Sequence, residues 1–258
     1  MSRRELRGCR IIVTGASSGI GYELTQRLLA AGANVLATAR RADRLQSLAT
    51  DVAVGQQRLV IHPGDVTDAT TRSTLVEIAR QAWDGLDGVI NNAGTGAIGR
   101  FDQAEESRVR QIFEVNFFAP VELTRLALPL LSAGQTPFVT NIGSVLGHVA
   151  MPMKSEYCAS KFALRGWSDA LASELRGRGI DVVWVAPNTT RSEFFDNLIE
   201  VNGQAAVNPL SMSSELVARK IVTALQRRRT RLLLTASGRA LLVADFVFPR
   251  LLRRLLSR

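Results

Sequence analysis

The sequence predicts an α/β fold, a doubly wound parallel sheet of about seven strands with helices on both faces. Three observations lead to it: short β-branched runs recur, amphipathic stretches separate them, and a glycine-rich turn directly follows the first run. The 258 residues, 46% of them hydrophobic, can bury one core but are few for two. We therefore expect a single domain over residues 1–258.

The predicted strands are short and apolar, as buried parallel strands are. They cover residues 11–14, 35–39, 59–62, 89–91, 138–141, 182–185 and 232–234. Helices are predicted where apolar residues recur every three or four positions, at residues 22–31, 68–83, 108–131 and 157–176. Right-handed crossovers bring the carboxyl ends of the strands, where ligands bind, to one edge of the sheet.

Residues 14–21 form the glycine-rich turn, Thr-Gly-Ala-Ser-Ser-Gly-Ile-Gly, between the first strand and the first helix. Glycine lets the backbone approach a pyrophosphate, which the amides and dipole of the helix N-terminus then hold. A plain turn and helix cap would use the same residues, but the position after the first strand favours a dinucleotide site. The candidate cofactor-binding residues here are Gly15, Ser17, Ser18, Gly19, Ile20 and Gly21.

Later strand ends supply further candidates for cofactor binding. Arg40 and Arg41 follow the second strand, where an NAD enzyme usually has an acid for the ribose hydroxyls. Two guanidinium groups suit a 2′-phosphate, so we expect NADP(H) rather than NAD(H); alternatively, both are solvated loop arginines. The candidates after the third and fourth strands are expected near the adenine and the ribose: Asp65, Val66, Asn92, Ala93 and Gly94.

A catalytic pair is predicted in the helical stretch 157–176. Tyr157 and Lys161 are four residues apart, which places them on one helix face. A nearby cation favours the phenolate and lowers a tyrosine pKa from its ordinary value of about 10, towards the range useful for acid–base catalysis. Ser144 follows the fifth predicted strand, where its hydroxyl can donate to a substrate oxygen as charge develops there.

Together these motifs resemble the short-chain dehydrogenase/reductase family: TGxxxGIG at 14–21, NNAG at 91–94, Asn116, Ser144, and YxxxK at 157–161. The resemblance covers about residues 8–195, and several motifs in order are far more specific than any one of them. It implies a Rossmann-like fold that interconverts an alcohol and a carbonyl with a nicotinamide cofactor. It also implies roles for four residues: general acid/base for Tyr157, tuning and nicotinamide-ribose binding for Lys161, substrate orientation for Ser144, and a water relay for Asn116.

Asn116 has a further physical feature. Pro120 lies four residues later and has no N–H, so the Asn116 carbonyl loses its helical partner and can bind water. The alternative is that Pro120 only kinks a helix around the core, which would free the same carbonyl for no catalytic purpose.

The stretch after the sixth strand departs from the family pattern, because Asn188 replaces the glycine of the usual Pro-Gly turn. Asparagine tolerates left-handed backbone, so the turn can survive. The resemblance adds three cofactor-binding candidates from this stretch, with the last at the position of a threonine that contacts the nicotinamide carboxamide: Pro187, Thr190 and Ser192.

Composition excludes several classes of function. The two cysteines, Cys9 and Cys158, give no metal-ligand spacing, so we expect no metal. The net charge of +9 is concentrated in the last 32 residues, which hold nine arginines and one acid, so the rest lacks the basic face that nucleic-acid binding needs. Since no signal peptide or membrane-spanning run is recognisable, we expect a cytoplasmic protein.

Residues 194–212 correspond to the segment that covers the substrate in this family. The segment is apolar, through Phe194, Phe195, Leu198, Ile199 and Val201, so we expect a lipophilic ketone or secondary alcohol as substrate. Four residues between Ser144 and Tyr157 are also expected to line the substrate pocket: His148, Val149, Met151 and Met153.

The C-terminal tail, residues 237–258, combines leucine and phenylalanine with clustered arginine. This composition suits peripheral contact with an anionic membrane; alternatively, the leucines pack on the protein or another subunit and the arginines stay in water. The resemblance also implies a homodimer or homotetramer. Because a fold does not establish an activity, a non-catalytic NADP(H)-binding sensor or scaffold remains the alternative function.

Overall fold

The computed structural model describes residues 3–52, 58–191, 193, 198–201 and 211–256. Its strands are β1 (Arg10–Thr14), β2 (Asn34–Ala39), β3 (Leu59–Pro63), β4 (Gly88–Asn91), β5 (Ala97–Ile98), β6 (Phe138–Ile142), β7 (Asp181–Ala186), β8 (Thr190–Arg191), β9 (Glu200–Val201), β10 (Met212–Ser213) and β11 (Arg231–Leu233). Its α-helices are α1 (Gly19–Ala30), α2 (Ala42–Val52), α3 (Ala69–Trp83), α4 (Glu106–Phe113), α5 (Ala119–Ser132), α6 (Ser155–Leu175), α7 (Ser214–Gln226), α8 (Ala236–Val247) and α9 (Pro249–Leu256).

Seven strands form one parallel sheet in the order β11-β7-β6-β4-β1-β2-β3. The doubly wound parallel sheet predicted from the sequence is therefore confirmed, and each of the seven predicted strands agrees with an observed one to within one residue at either end. Strand order reverses between β1 and β4, since the chain runs to β3 on one side and to β11 on the other. Ligands bind at such a switch point, beyond the carboxyl ends of the strands.

The two faces of the sheet bury separate cores, because successive side chains of a strand point to opposite faces. On β1, Ile11 and Val13 pack into the core that includes α1, α2 and α7. Ile12 packs into the other core, with α3, α5 and α6. The helices thus cover both faces, as predicted.

The predicted helix 108–131 is interrupted. α4 and α5 are joined by one π-helical turn, Glu114–Phe118, in which the Ala119 amide donates to the Glu114 carbonyl. Pro120 follows directly and has no N–H to continue the α-helical pattern, which accounts for the local change in hydrogen bonding. Asn116 lies within this turn.

None of the helices in the described ranges is long and apolar enough to span a bilayer. Two further strand pairs lie outside the main sheet: β8 pairs with β10, and β5 pairs with β9. The second pair holds residues 200–201 beside the loop that follows β4.

Candidate active site

A cavity of about 780 Å³ lies beyond the carboxyl ends of β1, β2, β4 and β6. Most residues predicted for cofactor binding or catalysis line it: Gly15, Ser17, Ser18, Gly19, Ile20, Arg40, Arg41, Asp65, Val66, Asn92, Ala93, Gly94, Ser144, Tyr157, Lys161, Pro187 and Thr190. Gly21 and Asn116 lie behind this lining, and Ser192 falls outside the described residues. Sequence reasoning therefore identified a set of residues that the fold does bring together.

The glycine-rich turn between β1 and α1 requires glycine for two different reasons. Gly15 and Gly19 have φ angles of +65° and +56°, in the left-handed region that favours glycine. Gly21 instead allows close packing, since an added Cβ would lie 2.2 Å from the Gly15 carbonyl oxygen and 2.4 Å from Asn92 Nδ2. The backbone is thus held close against the β4 loop and leaves its outer side open to the cavity.

The loop after β4 fixes this turn through a set of bonds around Thr14. The Asn92 side-chain amide donates to the Thr14 and Gly15 carbonyls at 2.9 and 3.1 Å. The backbone amides of Asn92 and Ala93 both donate to the Thr14 hydroxyl at 3.0 Å. Asn92, predicted as a cofactor ligand, therefore also braces the turn, and the part played by the Thr14 hydroxyl was missed from the sequence.

Arg41 forms the centre of a cationic subsite at one end of the cavity. Its guanidinium donates to the Ser18 hydroxyl at 2.8 Å and to the Ser17 hydroxyl at 3.2 Å. It also pairs with the Glu193 carboxylate at 2.7 Å, and Arg44 lies 3.7 Å from the same carboxylate. The hydrogen bond from Arg41 holds the pKa of Glu193 below its ordinary value. Glu193 was not predicted, because it lies in an irregular segment with no motif to mark it.

Tyr157 and Ser144 are hydrogen-bonded in the cavity wall. Burial raises the pKa of Tyr157 to about 12, although a hydrogen bond from the Ser144 hydroxyl favours the phenolate. The Ser144 oxygen also accepts the Leu146 amide at 3.0 Å, which fixes its position just after β6. The tyrosine and serine are thus oriented together towards the same space.

The lowered tyrosine pKa expected from Lys161 is not seen in this structure, in which burial dominates both groups. The Lys161 ammonium lies 5.8 Å from the centre of the Tyr157 ring and donates to the Ile142 carbonyl at 3.1 Å. Burial lowers the pKa of Lys161 to about 8, and the role of Lys161 in tuning the tyrosine stays a prediction.

Asn116 uses its side chain to connect the π turn to its neighbours. Its amide nitrogen donates to the Thr95 carbonyl and to the Ser160 hydroxyl, both at 2.9 Å, and its oxygen accepts the Thr95 amide at 2.9 Å. Ser160 in turn donates to the Tyr157 carbonyl at 2.8 Å. Asn116 therefore fixes the turn of α6 that separates Tyr157 from Lys161. Sequence reasoning had considered only the Asn116 backbone carbonyl.

Two buried polar groups support the site from behind. Asn91 donates to Asn141 at 2.8 Å, and Asn141 donates to Ser168 at 2.8 Å, which joins β4, β6 and α6. The first residue of the NNAG segment thereby ties the central strands to α6.

The start of α6 is held by a second such group, the buried ion pair between Arg108 of α4 and Glu156. Burial alone would raise the pKa of Glu156, but hydrogen bonds from Arg108 and Ser155 hold it below its ordinary value. Because Glu156 precedes Tyr157, the pair fixes the first turn of the helix that carries the tyrosine.

The cavity that Tyr157 lines has apolar as well as charged side chains in its wall. Its apolar lining includes Leu146, Met151, Leu198, Ile199 and Leu241. Leu198 and Ile199 belong to the segment expected to cover the substrate, whereas Phe194 and Phe195 lie outside the described residues.

The other residues expected to line the pocket are placed differently. His148 accepts a hydrogen bond from Trp184 Nε1 at 3.0 Å, and burial lowers the pKa of His148 to about 4. Val149 is buried, and Met153 is partly exposed. Of the four residues expected between Ser144 and Tyr157, Met151 is the one that lines the cavity. The described residues contain no cluster of potential metal ligands.

Comparison with known proteins agrees with this site. A family model described as short chain dehydrogenase matches residues 10–208. An uncharacterized oxidoreductase of Escherichia coli K12, YbbO, is 33% identical over 200 residues, which cover 77% of this chain and 72% of the relative. The chain belongs to the short-chain dehydrogenase family, whose members are oxidoreductases that act on CH–OH and keto groups.

Solved structures of this class share the whole architecture. A short-chain dehydrogenase from Burkholderia cenocepacia in complex with NADP superposes with a TM-score of 0.83 at 24% identity, covering 98% of this chain and 99% of that one. One from Burkholderia phymatum in complex with NAD gives 0.87 at 19% identity, with 96% of each chain covered. Both comparisons show that this chain shares the fold of these two dehydrogenases.

Proposed function

We propose that this protein is an NADP(H)-dependent oxidoreductase that interconverts a lipophilic ketone and a secondary alcohol, with Tyr157 as general acid/base. One observation carries the proposal: the hydrogen-bonded Ser144 and Tyr157 hydroxyls lie in the wall of the cavity that the glycine turn also lines. Nucleotide-binding backbone and a proton donor therefore border one space.

The preference for NADP(H) is supported by the subsite around Arg41. A 2′-phosphate is an anion with several acceptor oxygens, and Arg41, Ser17 and Ser18 present adjacent donors at the cavity wall. Arg40 lines the same region and adds positive charge. An acid that would bind the ribose hydroxyls of NAD is missing at this point of the sequence.

The proton chemistry follows from the placement of the side chains. When bound, the nicotinamide cofactor supplies or accepts the hydride. In the direction of reduction, Ser144 and Tyr157 donate hydrogen bonds to the substrate carbonyl oxygen, and Tyr157 gives up its proton as that oxygen gains negative charge. A tyrosine whose pKa is raised keeps its proton until the substrate oxygen becomes the stronger base. Lys161 and Asn116 hold in place the turn of α6 that follows Tyr157.

A lipophilic substrate is supported by the apolar side chains in the wall of the cavity. Leu146, Met151 and Ile199 line it, and Leu241 of α8 lines it as well. An apolar wall with two convergent hydroxyls suits a molecule that is apolar apart from its carbonyl. The homodimer or homotetramer and the cytoplasmic location stay predictions from the sequence.

The direct test is NADPH oxidation against a panel of lipophilic ketones and aldehydes, with wild type, Tyr157→Phe and Tyr22→Phe measured side by side. Tyr22 is the matched control, because it is the other tyrosine of the chain and bonds to Asp51 on the outside of α1. We expect Tyr157→Phe to lower kcat by about 100-fold or more, as loss of a general acid does, and Tyr22→Phe to match wild type.

Binding must be measured in the same experiment. Tyr157→Phe should still bind NADPH, since the glycine turn and Arg41 are unchanged. Binding of NADPH by wild type without turnover of any carbonyl would contradict the proposal and favour the non-catalytic sensor.

A further inference from the structure

The C-terminal helices α8 and α9 leave a row of large apolar side chains in water. Phe246 is 89% exposed and Phe248 is 61% exposed. Four more exposed residues extend the row: Val243, Val247, Leu251 and Leu255. These side chains therefore do not pack on the body of the chain, which leaves a second subunit or a membrane to cover them. We call them, with the arginines of α9, the tail surface.

Helix α9 separates its apolar and basic residues. At about 100° per residue, Leu251, Leu252, Leu255 and Leu256 fall within an arc of about 140°, and Arg250, Arg253 and Arg254 fall within the opposite arc of about 100°. Apolar residues beside arginine on one short helix are typical of segments that lie at a membrane interface.

The charge of the tail surface indicates whether a membrane or a second copy of the chain covers it. The tail surface carries three arginines of α9, Arg250, Arg253 and Arg254, so a symmetric contact between two tail surfaces would bring like charges together. An anionic lipid surface would instead attract them, and each arginine near it strengthens binding by roughly fivefold. The exposed aromatic side chains add apolar area that the acyl boundary can bury.

The tail surface also adjoins the candidate active site. Leu241 lines the active-site cavity, and Val243, Phe246 and Val247 are exposed on the opposite face of α8, so one helix separates the cavity from the tail surface. We propose that α8 and α9 dock the protein on anionic membranes, with the cavity beside the bilayer so that a lipophilic substrate enters from it. The second half of this inference rests on the proposed function, and the first half does not.

Docking is tested by co-sedimentation of the full chain with vesicles of phosphatidylcholine alone or of phosphatidylcholine mixed with phosphatidylglycerol. We expect wild type to bind the anionic vesicles at least about tenfold more tightly, and high salt to reduce the difference. Phe246→Ser/Phe248→Ser and Arg250→Gln/Arg253→Gln should each weaken binding by about tenfold or more.

Matched controls substitute the same types of residue elsewhere on the surface. Phe101→Ser removes another exposed phenylalanine, and Arg80→Gln/Arg125→Gln removes two exposed arginines of α3 and α5. Both should bind as wild type does. Equal binding by wild type and Phe246→Ser/Phe248→Ser would overturn the proposal. So would failure to bind anionic vesicles, or a smaller oligomer in Phe246→Ser/Phe248→Ser with no change in vesicle binding.

Substrate entry is tested separately, so that docking and catalysis can fail independently. Vesicle binding needs no turnover, and Tyr157→Phe should bind vesicles as wild type does. For a ketone dissolved in anionic vesicles, Phe246→Ser/Phe248→Ser should raise KM about tenfold or more with little change in kcat. For a water-soluble carbonyl it should leave both constants unchanged. An equal KM effect on both substrates would contradict entry from the bilayer.

Discussion

Arg41→Ala should weaken the binding of NADPH and leave that of NADH nearly unchanged. A hydrogen bond between a guanidinium and a phosphate contributes about 1.5 to 3 kcal/mol. Arg41 must first give up part of its contact with Glu193, and both side chains are about one-third exposed, at 35% and 37%. Ion pairs of that exposure are worth about 0.2 to 1 kcal/mol. The net loss is therefore about 0.5 to 2.8 kcal/mol, roughly a twofold to hundredfold rise in Kd for NADPH.

The assay is calorimetric titration of wild type and Arg41→Ala with NADPH and with NADH. Arg80→Ala is the control, because Arg80 is an exposed arginine of α3 paired with Glu77. Its Kd values for both cofactors should match those of wild type. The reasoning would be refuted by an equal loss of affinity for the two cofactors, because the 2′-phosphate is the group that distinguishes them.

Three further predictions concern charged side chains. Glu193→Gln should tighten NADPH binding by up to about fivefold without affecting NADH, because Arg41 no longer has to leave a carboxylate; weaker NADPH binding in the same titration would contradict it. Arg108→Met should lower the free energy of unfolding in urea by about 3 to 5 kcal/mol, since Glu156 would stay buried without its partner. A loss under about 1 kcal/mol would show that the ion pair does not stabilise the fold. Stability should fall as the pH drops below about 4 and fall less steeply in Asp87→Asn.

The sign of the last prediction follows from the surroundings of Asp87. Burial alone would raise the pKa of Asp87, but hydrogen bonds from the Arg10 side chain, the Arg10 amide and the Gln135 amide hold it below its ordinary value. A lowered pKa stabilises the folded protein above the unfolded value, and the contribution is lost as the pH falls through the folded value. An identical acid-side decline in urea unfolding of wild type and Asp87→Asn would exclude Asp87 as its source.

The strands and the glycine turn were accessible from the sequence because local residue types determine them. Runs such as 35–39 are buried on both faces and are therefore apolar except for Thr38, and glycine is needed where φ is positive, as at Gly15. The spacing of Tyr157 and Lys161 likewise follows from the period of a helix. Helices α2 and α7 were not predicted, although they pack on the same core as α1.

What the sequence did not reveal depends on tertiary contacts. The pairing of Arg41 with Glu193 joins residues 152 apart, and no local pattern anticipates it. Spacing shows that Lys161 is near Tyr157, but it does not show that the tyrosine is buried, and burial raises its pKa. The hydrogen bonds of Asn116 likewise require knowing where Thr95 and Ser160 lie.

Because the π turn Glu114–Phe118 joins α4 to α5, the direction of the Asn116 side chain depends on the number of residues between these two helices. A π turn contains one residue more than the α-helical turn it replaces. Deleting one residue there would let α4 run into α5 with regular hydrogen bonds as far as Pro120, and would rotate one helix relative to the other by about 100°. Asn116 would then lose its alignment with Thr95 and Ser160. The less regular backbone thus lets α4 pack on α6 and α5 pack on α3 while Asn116 stays buried between them.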